Sequence, residues 1–295
     1  MMNYLIKGGL VVDGNGGEPM LAEVLIKDGK IDAVISANEV LTHNPIEMIG
    51  VETIDASGCI VTPGFVDPHT HYDGQATWDD RLAPSADHGV TTVVMGNCGV
   101  GFAPVRPDGR DFLIELMEGV EDIPGSALAD GIDWAWESFP EYLDALDNKA
   151  RAMDVVAQIP HGALRTYVLG QANNLNGPAT AEQIQQMAAL TRQAIEAGAF
   201  AFSTNRIAMH TSTDGESVPG TFAEKEEVFA IIKAMQDGGA NLLQVVPEGL
   251  MGENPTALQA EVQLYKDLSL ETGCSIVFTL SQNNVQTTLW KNILE

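Results

Sequence analysis

His69 and His71 stand two residues apart at the end of the run Ile60–Gln75, IVTPGFVDPHTHYDGQ. Side chains at i and i+2 of an extended chain point the same way. Two imidazoles projected side by side can take neighbouring positions on one divalent metal, and their neutral nitrogens suit zinc among others. The spacing alone also fits two histidines on a solvated loop. Two more residues further along could do chemistry. Arg206 carries a two-pronged donor that could grip a substrate carboxylate or form a surface salt bridge. His210, four residues later, is open to the same pair of readings.

The elements that must position these groups alternate between strands and helices from Ile60 onward, which predicts βα units and a parallel sheet. Six strands are expected, at Ile60–Val66, Thr91–Met95, Asp154–Ile159, Ala199–Ser203, Leu242–Val246 and Ser275–Leu280. The first three are apolar enough to be covered on both faces. Thr180 with Gln183, and Thr221 with Glu224, have capping-box spacing, and Gly198 and Gly238 fall where helices stop. Ile184, Met187, Ala188 and Ile195 share one helical face, as do Val228, Ile231, Ile232 and Met235, and both stripes read as core. Residues 1–58 read as a separate small β unit. It holds a strand from Tyr4 to Val12 broken at Gly8-Gly9, and a hairpin turning at Lys27-Asp28-Gly29-Lys30. Residues 59–295 form the larger domain. Between its second and third strands, residues 100–147 read as an insertion, a candidate lid or rim. Its Trp134, Trp136, Phe139 and Tyr142 either pack it down or touch substrate.

Composition narrows the partners. The 295 residues are 45% hydrophobic and carry 41 acidic against 15 basic side chains, a formal charge of −26. A polyanion such as nucleic acid would be repelled. No apolar run approaches the roughly 18 residues of a membrane span, and the first residues lack a signal-peptide layout. Cys59, Cys98 and Cys274 are odd in number and widely spaced, which fits a reducing compartment. A cytoplasmic protein acting on a small molecule is expected.

The order apolar run, Pro-Gly-Phe, acidic residue, His-x-His from Val61 to His71 resembles the first barrel strand of the amidohydrolase superfamily. Tyr72-Asp73-Gly74-Gln75 and the segment GIDWAWESFPEYLDALD, Gly131–Asp147, resemble its branch of N-acyl-D-amino-acid deacylases, or D-aminoacylases. That resemblance implies an α/β fold, a TIM-like (β/α)8 metal-dependent-hydrolase barrel with about six βα units present, and a small N-terminal β-sandwich portion. It implies one or two Zn2+ ions. It also makes the turn Gly96-Asn97-Cys98-Gly99 the place where a cysteine joins His69 and His71 as a metal ligand, while Cys59 and Cys274 are read as inert. Barrel active sites lie at the C-terminal strand ends. There His161, in Pro160–Arg165, either lines the pocket as a donor or is a packed histidine.

The sequence departs from the family in three places. Asn205-Arg206-Ile207-Ala208 stands where better-known deacylases have a Gly-Leu turn followed by a tyrosine, so the substrate is expected to differ. The fifth and sixth strand ends, Leu243–Glu248 and Phe278–Gln282, lack the histidines of firmly zinc-bound members, leaving Gln244 or Glu248 as substitute oxygen donors. The family's general-base aspartate and the strands that close barrel and sandwich are expected beyond Glu295, so no catalytic base is assigned within the chain. The implied reaction is metal-assisted hydrolysis of a non-peptide amide, with deacylation of an N-acyl-D-amino acid or a related small amide as the leading reading. The alternative is a non-catalytic scaffold or binding subunit, associating with itself or a partner through open barrel edges.

Overall fold

The structure is a computed structural model that describes residues 3–36 and 50–294 apart from 172, 253, 283 and 285. Residues 37–49 of the expected 1–58 unit therefore lie outside the described part. Contacts divide the chain into two compact units, Met1–Phe65 and Val66–Glu295.

In the first unit, β1 (Asn3–Val11), β2 (Met20–Lys27), β3 (Lys30–Ser36), β4 (Val51–Asp55) and β5 (Ile60–Val61) form one sheet, ordered β3-β2-β1-β4 with β5 also on β1. The β2–β3 hairpin turns through Asp28 and Gly29, both at positive φ, the geometry that matches strand twist in a two-residue turn. The break expected at Gly8-Gly9 is an interruption of register within one strand. The strand bulges there and changes partner, residues 3–7 pairing with β4 and residues 10–11 with β5. A side chain on Gly9 would collide with Val61. Val11, Ala22 and Val24 make the small core.

The second unit is mixed α/β, with a curled, half-barrel sheet ordered β11-β10-β9-β8-β7-β6. Its strands are β6 (Phe65–Asp67), β7 (Val90–Met95), β8 (Asp154–Pro160), β9 (Ala201–Asn205), β10 (Leu242–Val246) and β11 (Ser275–Phe278), and β7 to β11 run parallel. The expected first strand, Ile60–Val66, is instead two short pieces in two sheets. Pro63 lacks the N–H that a continuous ladder needs, and Phe65 and Val66 stay exposed rather than covered on both faces. The fourth strand sits two residues later than expected. Thr204 and Asn205, expected to follow the strand, are thus buried strand residues, as Ser203 is.

Helices α1 (Arg110–Glu121), α2 (Gly125–Gly131) and α3 (Phe139–Asp147) occupy the 100–147 insertion, and α4 (His161–Leu169) follows β8 directly. Trp136, Phe139 and Tyr142 are buried in the main core. Trp136 Nε1 donates to the Phe102 carbonyl at 2.8 Å and Tyr142 Oη to the Asp73 carbonyl at 2.8 Å. These aromatics hold the insertion down. The later helices are α5 (Ala181–Glu196), α6 (Lys225–Asp237), α7 (Pro255–Thr272) and α8 (Leu289–Leu294). Thr180 and Gln183 form the expected capping box on α5. Thr221 and Glu224 do not: α6 begins after Glu224 with no side-chain cap, and the Thr221 hydroxyl accepts a bond from Asn205 Nδ2 at 2.7 Å instead. Met187 and Ile195 of α5, and Val228, Ile231, Ile232 and Met235 of α6, are buried as their periodicity predicts.

Candidate metal centre

The segment after β6 is fastened to the end of β7 by one buried asparagine. Asn97 Nδ2 donates to the carbonyls of Thr70 (3.1 Å) and Val94 (2.9 Å), and its Oδ1 accepts from Gln158 Nε2 at 2.8 Å. Thr70, between the two histidines, bonds back through its hydroxyl to Val94 O at 2.8 Å. His69 and His71 are thereby held against the turn that carries Cys98. That turn is tight: Gly96, Cys98 and Gly99 all have positive φ. A Cβ on Gly96 would overlap the Gln158 carbonyl, so this position accepts only glycine. Gln244 Oε1 receives the Cys98 N–H at 3.0 Å, and Ser203 Oγ receives that of Gly99 at 3.2 Å. Gln244 therefore orients the turn from behind.

The result is a cluster of donors. His69 Nε2 lies 3.2 Å from Cys98 Sγ, and Cys98 Sγ lies 3.6 Å from His71 Nε2. The ligand atoms of all three fall within 4.8 Å of one another, with His69 exposed, His71 half-buried and Cys98 buried. Beside them, His71 Nε2 is 3.3 Å from Oε1 of Glu121, the last residue of α1. Asp73, also at a two-residue interval after His71, is buried with Oδ2 unpaired among the described residues, as are His71 Nδ1 and Glu121 Oε1.

Burial dominates the electrostatics. It drives the His71 pKa down to about 3, aided by His69 and His210, and also lowers His69. It raises Asp73 and Glu121 to about 7, and it pushes the Cys98 thiol up, with Glu121 adding to the effect. Neutral imidazoles, a thiol and unpaired carboxylates crowded together are the donor set a divalent cation would hold and charge-balance, since a thiol is deprotonated on coordination. The residues fit zinc, whose catalytic sites use three protein ligands and leave a position open.

The other expected residues fall elsewhere. His161 does not line an open pocket. It is fully buried, its Nδ1 bonded to Thr204 Oγ1 and its Nε2 to Glu227 Oε1, both at 2.8 Å. Arg206 is committed to Glu261 Oε2 at 2.6 Å and to the Ala223 carbonyl at 3.2 Å, the salt-bridge reading of this residue. His210 does approach the cluster: burial lowers its pKa first and His69 second, and its Nδ1 is buried without a partner among the described residues. Glu248 lies near Asn254, 3.4 Å away, and Gln244 acts on the Cys98 amide. Cys59 is exposed and Cys274 buried, both as free thiols. Sequence reading passed over Glu121 and Asp73 as site residues. The alternation His69, His71, Asp73 was a usable signal for the second, while nothing local marks the first. A concavity of about 960 Å³ near Val155, Phe200 and Leu242 opens at the strand starts, far along the sheet from these donors.

The Asp73 environment predicts a pH effect. Its carboxyl pKa rises from 3.8 to about 7 on folding, so the protonated form is the one the fold favours. That contribution is complete below about pH 4 and is lost as pH rises through about 7, up to roughly 4 kcal/mol in chelator-treated protein. Asp73→Asn removes the dependence. Thermal unfolding with chelator should therefore find the variant more stable than wild type near pH 8, the gap closing toward about pH 4. A gap independent of pH would show that Asp73 is not buried as described.

Residues 52–292 match the amidohydrolase family, and the chain belongs to it. Its relatives lie in the D-aminoacylase-like branch. The D-aminoacylase of Alcaligenes xylosoxydans xylosoxydans is 31% identical over 237 residues, 80% of this chain and 43% of that one. A D-aminoacylase structure described by its binuclear metal centre superposes with a TM-score of 0.71 at 26% identity, covering 95% of this chain and 52% of that one. N-acyl-D-glutamate deacylase of Bordetella bronchiseptica, solved with zinc and a phosphonate inhibitor, gives 0.70 at 26% identity over 99% and 55%. The chain spans less than half the length of the curated deacylases it matches. Among the described residues no helix is long and apolar enough to cross a membrane.

Proposed function

We propose that this chain supplies the metal-binding half of a hydrolase that cleaves a non-peptide C–N bond, removing the acyl group from an N-acyl-D-amino acid or a related small amide. The observation that carries the reading is the convergence of His69 Nε2, His71 Nε2 and Cys98 Sγ at the C-terminal ends of β6 and β7. Zinc held there would polarise an acyl carbonyl and make water nucleophilic near neutral pH. His69 is the exposed member of the three. Asp73, whose carboxyl is raised to about 7 by burial, would hold or release a proton near neutral pH.

The family relationship supports completing the half-barrel to a (β/α)8 barrel and the first sheet to a β-sandwich with further strands, and a general-base aspartate on one of those strands. A 1–58 and 59–295 division, and a cytoplasmic setting suggested by three free cysteines, belong to the same proposal. The reading is tested with zinc-supplemented protein and a panel of N-acetyl-D- and L-amino acids. Hydrolysis of at least one D-substrate at ten times or more the rate of its L-enantiomer is expected. No hydrolysis by a gene product that includes the remaining strands would overturn it. A second reading, a non-catalytic scaffold that pairs through its edges, draws on exposed Phe65, Val66 and Val277 on the two outermost strands. In that case the inactive protein co-purifies with a second chain.

A further inference from the structure

We infer that Glu121 is a direct metal ligand beside His69, His71 and Cys98, with water or substrate oxygen entering as a fifth donor, a coordination number that catalytic zinc can reach. This rests on the metal-centre reading above and extends it to a residue on a helix.

The spacings carry the argument. Around one tetrahedral zinc, with bonds of about 2.0–2.1 Å to N or O and about 2.3 Å to S, adjacent donors stand about 3.4 Å apart for N and O pairs and about 3.6 Å for N with S. The chain of neighbours here runs His69 Nε2 to Cys98 Sγ 3.2 Å, Cys98 Sγ to His71 Nε2 3.6 Å, and His71 Nε2 to Glu121 Oε1 3.3 Å. Glu121 stands at ligand spacing from His71, just outside the three donors whose atoms all lie within 4.8 Å of one another. Its carboxylate also acts on the Cys98 thiol, adding to the burial that pushes that thiol's pKa up.

No lysine or arginine pairs with the carboxylate among the described residues. Its Oε1 is buried without a hydrogen-bond partner among the described residues. It closes the last turn of α1, where the helix dipole is negative and disfavours an anion, and that turn holds no basic residue. Placing an acid there costs stability unless a cation meets it. The surrounding backbone fixes the placement. Gly119, two residues earlier in α1, has no room for a Cβ against the Thr211 carbonyl, and Thr213 N–H bonds to Glu115 O at 3.3 Å. The loop after His210 is thus clamped onto α1.

The test compares the 295-residue wild type with Glu121→Gln, with Glu118→Gln as a control on the same helix. Zinc affinity is read by competition with a chromogenic chelator, and the ligand field by the visible absorption of the Co2+ form. Glu121→Gln should weaken zinc at least tenfold and change the Co2+ spectrum, while Glu118→Gln does neither. Thermal unfolding in chelator separates ligation from folding: Glu121→Gln should be as stable as wild type or more so, yet lose most of the stabilisation that zinc confers. Equal zinc affinity and an unchanged Co2+ spectrum in Glu121→Gln overturn the inference and leave the His69, His71 and Cys98 site standing. A wild type that binds neither metal overturns the site itself.

Discussion

Replacing His69 and His71 together with alanine is expected to abolish measurable zinc binding, lowering affinity by a thousandfold or more. The two imidazoles are two of the three clustered donors, and Cys98 alone cannot hold zinc against water in a site open at His69. The same change should leave the fold intact. His69 is exposed and His71 half-buried, and the segment is fastened to the neighbouring main chain through Thr70 and Asn97. Loss of metal with an unchanged circular dichroism spectrum and chelator-treated Tm is the expected pair of observations. If zinc still binds stoichiometrically to the double variant at wild-type affinity, the metal centre is elsewhere.

The second large effect concerns stability and lies away from the metal. Arg165, 1% exposed, donates through Nη1 to both oxygens of Glu227 at 2.6 Å and through Nε and Nη2 to the carbonyls of Leu175 and Gly177. His161 bonds to the same carboxylate, so three buried ionisable groups share one network joining α4, α6 and the loop after Gly170. Burial opposes ionisation of Glu227, yet the bonds from His161 and Arg165 hold its carboxyl below the usual range. Removing one partner leaves that charge without compensation. Arg165→Met is therefore expected to cost about 3–5 kcal/mol in urea unfolding, while the double variant Arg165→Met with Glu227→Leu recovers much of the loss. A cost below about 1 kcal/mol for the single change would mean that the network is solvated.

This network also explains why His161 reads ambiguously in sequence. A histidine at a strand end in a barrel is a fair candidate for the active site, and its position at the β8–α4 junction was foreseeable. That Glu227, 66 positions away, would close on it was not. The same holds for Thr221, whose capping-box spacing is genuine but whose hydroxyl is claimed by Asn205 once β9 extends two residues further than periodicity suggests.

The sequence by itself determined the alternation of strands and helices, the hairpin at Asp28-Gly29, the buried faces of α5 and α6, and His69, His71 and Cys98 as the residues to watch. Each is a local signal, written in periodicity, turn chemistry or a short motif, and local signals survive without knowledge of the fold. Only the tertiary structure decided that Pro63 splits the first strand between two sheets. It alone showed that Gln244 braces Cys98 from 146 positions away, that Arg206 is spent on Glu261, and that the end of α1 brings Glu121 to 3.3 Å from His71. These depend on which distant segments share a small volume, and a buried carboxylate at a helix end looks in sequence like any solvated glutamate.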